Sequence, residues 1–181
     1  MSEKYKFRDP SGIYFVTPTI AGWIDLFTKK EYAEIVIDSL KYCQNHKGLV
    51  IHAWVIMSSH LHLIISSNMN PLNDIMRDFK KFTSKEIVQQ LIHGNDSRKD
   101  WILKLFITSA AEINRNKYHK VWQDGNHPVH LDTNKMIDSR LDYLHYNPVQ
   151  QGWVTKPEDY VYSSAIDYSG GKGLLEINKI E

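Results

Sequence analysis

The chain has 181 residues, 42% of them apolar and 24% charged, with a formal net charge of +1. This excludes a disordered or fibrous chain and suits one soluble domain, 1–181, with a full core. Near-neutrality gives no global basic signature of a nucleic-acid binder, so any such contact must rest on local patches.

Residues 1–12 form a basic-aromatic arm in which Lys4, Lys6 and Arg8 alternate with Tyr5 and Phe7. Such an arm either tracks a phosphate backbone or is a solvated tail. Ile13 to Thr17 is β-branched and aromatic, a first strand ended near Pro18. Thr28 followed by Glu31 has the spacing of a capping box, opening a helix whose buried stripe is Tyr32, Ile35, Val36, Leu40 and Cys43. Cys43 is the single cysteine and reads as a buried thiol, which fits a reducing cytoplasm. No apolar segment follows Met1 to Lys4, and no run approaches the roughly 18 residues needed to span a bilayer. An unexported, cytoplasmic protein without a membrane partner is expected.

Leu49 to Met57 is a second strand, and Ser58-Ser59 turns it into a third that carries His60-Leu61-His62. Alternate strand residues share a face, so both imidazoles point one way while Leu61, Leu63 and Ile65 face a core. Two histidines so spaced either hold one divalent ion or sit unrelated on a half-buried sheet face. Asn70-Pro71 opens the next helix, with Leu72, Ile75, Met76, Phe79, Phe82, Ile87 and Leu91 inward. Arg77, Lys81 and Lys85 recur every fourth residue as a basic stripe, for phosphates or for solvent.

Trp101 to Asn116 reads as a helix with Trp101 and Leu105, and also Ile102 and Phe106, directed inward. Arg115, Lys117 and Lys120 then approach Trp122, a second mixture of cations with an aromatic ring. Pro128 to Asp132 suits a last strand, where His127 and His130 read as structural or exposed. Asn134 to Tyr146 is the last substantial helix, with Ile137, Leu141 and Leu144 buried, His145 on its surface and Asn147-Pro148 ending or kinking it. Residues 155–181 form an irregular, loosely attached C-terminal extension. No internal repeat, low-complexity tract or second domain is visible. The order is that of an α+β, ferredoxin-like split βαβ fold: an antiparallel sheet with helices on one face.

Two elements about eighty residues apart carry a specific likeness: His60-Leu61-His62 on an internal strand, and Tyr143-Leu144-His145-Tyr146-Asn147-Pro148-Val149 on a helix. With His52-Ala53-Trp54-Val55, Trp122-Gln123 and Tyr162-Ser163-Ser164, the chain resembles the single-tyrosine HUH transposases, in particular the REP-associated type of the insertion-sequence-200-like family. It departs from the usual family pattern in having Ser58-Ser59, not proline and a polar residue, before the first histidine.

The resemblance implies a metal-dependent DNA transposase with Tyr143 as nucleophile, near the open sheet face. It implies His60 and His62 as ligands of Mg²⁺ or Mn²⁺, and Asn147 as a third ligand, although Asn before Pro also suits an N-cap of a following helix. It further implies single-stranded DNA with hairpin or palindromic repeats as partner and a 5′-phosphotyrosine intermediate. A domesticated protein that binds such hairpins without cutting is the alternative. Tyr146, three residues from Tyr143, is the rival nucleophile, and the protein is either a monomer or a homodimer.

Overall fold

A computed structural model describes residues 7–111 and 118–180. Four strands, β1 (Tyr14–Val16), β2 (Leu49–Ile56), β3 (Leu61–Ser67) and β4 (Val129–His130), form one sheet in the order β2-β3-β1-β4. Every pairing is antiparallel. Strand β3 lies between β1 and β2, which are joined by α1 (Lys30–Lys47), so the topology is the split βαβ arrangement expected.

Period-two alternation divides the sheet between two cores. Tyr14, Val16, Leu61, Leu63 and Ile65 face a large apolar core shared with α1, α2 (Leu72–His93) and α3 (Lys99–Ala111). Phe15, Ala53, Val55, Met57 and Ile64 face a smaller core closed by α4 (Asn134–Gln150), with Tyr160 and Tyr168 from the C-terminal segment. A register shift between Ile51 and Ala53 makes His52 an extra residue in β2. Consequently Ile51 and Trp54, three residues apart, meet the same core.

Several local expectations are corrected by tertiary partners. Helix α1 begins at Lys30 without a side-chain cap, because the Thr28 hydroxyl donates to the Asp25 carbonyl (2.8 Å). Likewise α2 begins one residue late, after Pro71, and the Asn70 amide donates to Lys47 O (3.2 Å). Phe82 is 52% exposed, and its neighbour Thr83 is buried as acceptor for the Trp122 indole N–H (2.9 Å).

In α3 the inward face is Ile102, Phe106 and Ala110, with Leu105 packed at its edge; of the four residues expected inward, Trp101 alone is exposed. Helix α4 passes through Pro148 and ends at Gln150, capped at its start by Thr133. The C-terminal segment is docked, not loose: Asn178 N–H donates to Ile51 O (2.8 Å), its own carbonyl meets His52 Nδ1 (2.8 Å), and Leu175 is buried. No helix among the described residues is long and apolar enough to cross a membrane.

Candidate active site

The two histidines reach the α4 side of the sheet by different routes. His62 stands within β3 and is buried, whereas His60 precedes the strand and is held by a bridge to Thr19. Their ring centroids are 4.7 Å apart at 71°. Phe15, on the adjacent strand β1, stacks on His62 at 5.2 Å.

Each imidazole has one nitrogen already occupied. His62 Nδ1 lies 3.0 Å from Thr17 Oγ1, and His60 Nδ1 lies 3.2 Å from Ser59 Oγ. His62 Nε2 is buried with no hydrogen-bond partner among the described residues. A buried polar atom left so is costly unless something outside the chain meets it. Burial, and secondarily the neighbouring His60 and Arg140, pushes the His62 pKa down to about 3. Burial also lowers that of His60. Both rings are thus neutral near pH 7, the state in which imidazole donates a lone pair to a metal. A hydrogen bond to the opposite nitrogen orients such a ligand, so the pair fits a divalent ion.

Helix α4 brings Tyr143 to this place. Its ring lies 5.2 Å from that of His62 and 6.2 Å from that of Phe15, in edge contact with both, and it remains 41% exposed. Arg140, one turn earlier, sets its guanidinium carbon 5.1 Å from the Phe15 centroid and 6.0 Å from the Tyr143 centroid. Sequence reading missed Arg140, although the i, i+3 spacing from Tyr143 is the signal that places them together. Tyr146 is 52% exposed and has no ring contact with either histidine.

Asn147 lies inside α4, so it does not cap a following helix. Its side-chain N–H donates to Tyr143 O (2.8 Å), which leaves the amide oxygen for other partners. His145, expected on the surface, is buried: its Nε2 lies 2.9 Å from Ser164 Oγ, and its ring packs 5.1 Å from that of Tyr168. Among the described residues no group of three His, Cys, Asp or Glu side chains could hold a metal. The donors that stand side by side here are the two imidazoles.

The expected basic patches fare unequally. Lys4, Lys6, Arg115 and Lys117 lie outside the described residues. Arg8 is exposed. Arg77 is paired with Asp74 (2.5 Å) and Asp78 (3.2 Å), and Lys120 with Asp124 (2.9 Å). Lys81 and Lys85 are exposed and make no ion pair among the described residues. Trp122 is 5% exposed and packs against Phe27 and Phe79, so its ring belongs to the core and offers no face to a base.

Comparison with known proteins adds three findings. A family model described as "Transposase IS200 like" matches residues 24–117, just over half of the chain. The chain is similar in structure to a REP-associated tyrosine transposase solved with a REP hairpin, at TM-score 0.62 and 20% identity, covering 100% of this chain and 94% of that one. No curated protein matches in sequence.

Proposed function

The chain belongs to the IS200-like transposase family, and from that premise we propose that it cuts and rejoins single-stranded DNA with its own Tyr143 as nucleophile. The observation that carries this reading is the 5.2 Å approach of the Tyr143 ring to that of His62 within one chain. Residues 1–181 then act as one domain, as a monomer or a homodimer in the cytoplasm, on DNA bearing hairpin or palindromic repeats. The solved neighbour's REP hairpin supports that choice of partner.

A divalent ion, Mg²⁺ or Mn²⁺, would be held by His60 and His62 with the Asn147 amide oxygen as third donor, and would polarise the phosphoryl oxygen. The chain's own residues do the rest. Phe15 and Thr17 fix the His62 ring. Arg140 places a permanent positive charge beside the tyrosine, attracting the phosphodiester. Tyr143 Oη attacks phosphorus and the P–O3′ bond breaks. The phenol proton passes to solvent, and the departing 3′ oxygen takes one up. One phosphate ester replaces another, so the 5′-phosphotyrosine retains the bond energy. Attack by a second 3′-OH then rejoins a strand without ATP.

The test is incubation with Mn²⁺ or Mg²⁺ and hairpin oligonucleotides from the flanking DNA, read as a covalent adduct resistant to denaturant. The adduct is expected in the parent and in Tyr146→Phe, and is expected to vanish in Tyr143→Phe. Persistence in Tyr143→Phe with loss in Tyr146→Phe would overturn the assignment. Hairpin binding with no adduct under either ion would replace it by a binding role alone. Mixing Tyr143→Phe with His62→Ala should restore no adduct; restoration would mean that the tyrosine serves a partner chain.

A further inference from the structure

The turn Ala21–Trp23 lies against the histidine segment and carries two consecutive residues with left-handed backbone, Gly22 at φ 71° and Trp23 at φ 55°. At Gly22 the conformation has a local reason: an added Cβ would lie 3.0 Å from both methyls of Leu105, so glycine suits both the angle and the space. Trp23 has no such reason. A bulky residue at positive φ is a genuine outlier, tolerated where its surroundings over-determine it.

The surroundings here do so. Ile20 N–H donates to Ser59 O (2.9 Å), Ala21 N–H to Val121 O (2.8 Å) and Phe27 N–H to Ser58 O (2.9 Å). The turn is thereby fixed between the residues that precede His60 and the Val121-Trp122 segment.

Burial does not explain the strain, because Trp23 is 60% exposed. Its ring lies 5.8 Å from that of His60 at 72°, an edge contact that leaves most of the indole open to solvent. A rigid, open aromatic face beside a proposed phosphate site has the chemistry of a base-stacking platform.

We infer that Trp23 stacks on one unpaired base of the DNA strand whose phosphate is held at His60 and His62. The inference rests on the proposed function and deepens it by assigning Trp23 to substrate positioning. Every base has a π-face, so the contact selects an unpaired nucleotide at that position and tolerates its identity.

The experiment scans a hairpin oligonucleotide with single abasic sites across the unpaired nucleotides. Binding is measured to Tyr143→Phe protein, with and without Trp23→Ala. With Trp23 present, one abasic position weakens binding about 5- to 150-fold, the range of one base–aromatic stack. In Trp23→Ala the same abasic site changes affinity less than about two-fold, and Trp23→Phe keeps part of the sensitivity. Trp23→Gly serves as the folding control: it relieves the strained φ, so its thermal midpoint is equal or higher while its sensitivity is lost. Equal sensitivity with and without Trp23 at every position would overturn the inference. The covalent-adduct assay judges the cutting reaction separately, because the scan reads binding in a protein that cannot cut.

Discussion

The two faces of the sheet are built from the same strands and serve opposite ends. On the α1–α3 side, side chains such as Trp54, Phe79 and Phe106 are fully buried in a continuous apolar core. Its ionic group, Asp96, is met by Arg98 (3.0 Å), Lys29 (3.2 Å) and the Tyr32 hydroxyl (3.1 Å). On the α4 side a smaller core stops at two desolvated imidazoles, an arginine over aromatic rings and a half-exposed tyrosine. One face lowers the free energy of the fold; the other leaves a buried imidazole nitrogen without a partner among the described residues. A sheet with surplus stability on one side can carry an unsatisfied nitrogen on the other.

The sharpest way to break the contrast is Phe79→Ala, which removes a buried ring from the larger core. It should cost about 3–5 kcal/mol in a urea titration while the adduct yield per folded molecule is retained. A loss of adduct chemistry in folded protein would mean that the two faces are not independent.

Acid should separate the faces next. Burial lowers the His145 pKa from an ordinary 6.5 to about 4. The stability gained by keeping His145 neutral is therefore complete above pH 6.5 and lost as pH falls through about 4, by roughly 2–3 kcal/mol at one pKa unit per 1.36 kcal/mol. On the other side, hydrogen bonds led by that from Arg98 hold Asp96 well below the usual carboxylate range. Its contribution survives that window and fades only at still lower pH. Urea midpoints measured from pH 7 to pH 4 should fall in the parent and fall less in His145→Gln; parallel curves would refute the assignment.

The smallest effect concerns the exposed cations. Lys81→Ala or Lys85→Ala should lower the salt slope of DNA affinity by about one unit for each phosphate that is no longer neutralised. An unchanged slope would return that face of α2 to plain solvation.

What the amino-acid pattern could tell follows from range. The split βαβ order, the shared face of His60 and His62 and the inward stripe of α2 are set by period and turn chemistry within a few residues, and these were readable. The exceptions are positions decided at long range. Thr83 takes the inward place expected of Phe82 because Trp122 needs an acceptor. His145 is buried because Ser164 and Tyr168 come back to meet it. Trp101 lies outside because Trp101, Ile102, Leu105 and Phe106 offer two overlapping apolar faces, and local pattern cannot choose between them. Trp23 and Arg140 escaped notice for a related reason: each matters only through a ring brought to it by the fold.

The docking of the C-terminal segment on β2 sets an order in time. Ser164 Oγ accepts from Trp54 N–H (2.9 Å) and meets His145, while the Tyr168 hydroxyl donates to His52 O (3.0 Å), so this segment rivets the tyrosine helix to the sheet. In synthesis α4 is made before the residues that hold it, and hydrogen bonds spanning 110 and 116 residues are the slow ones to close. A nascent chain thus carries its histidines and Tyr143 before their spacing is locked. The approach of Tyr143 to His62 is therefore fixed only once the downstream strap has arrived.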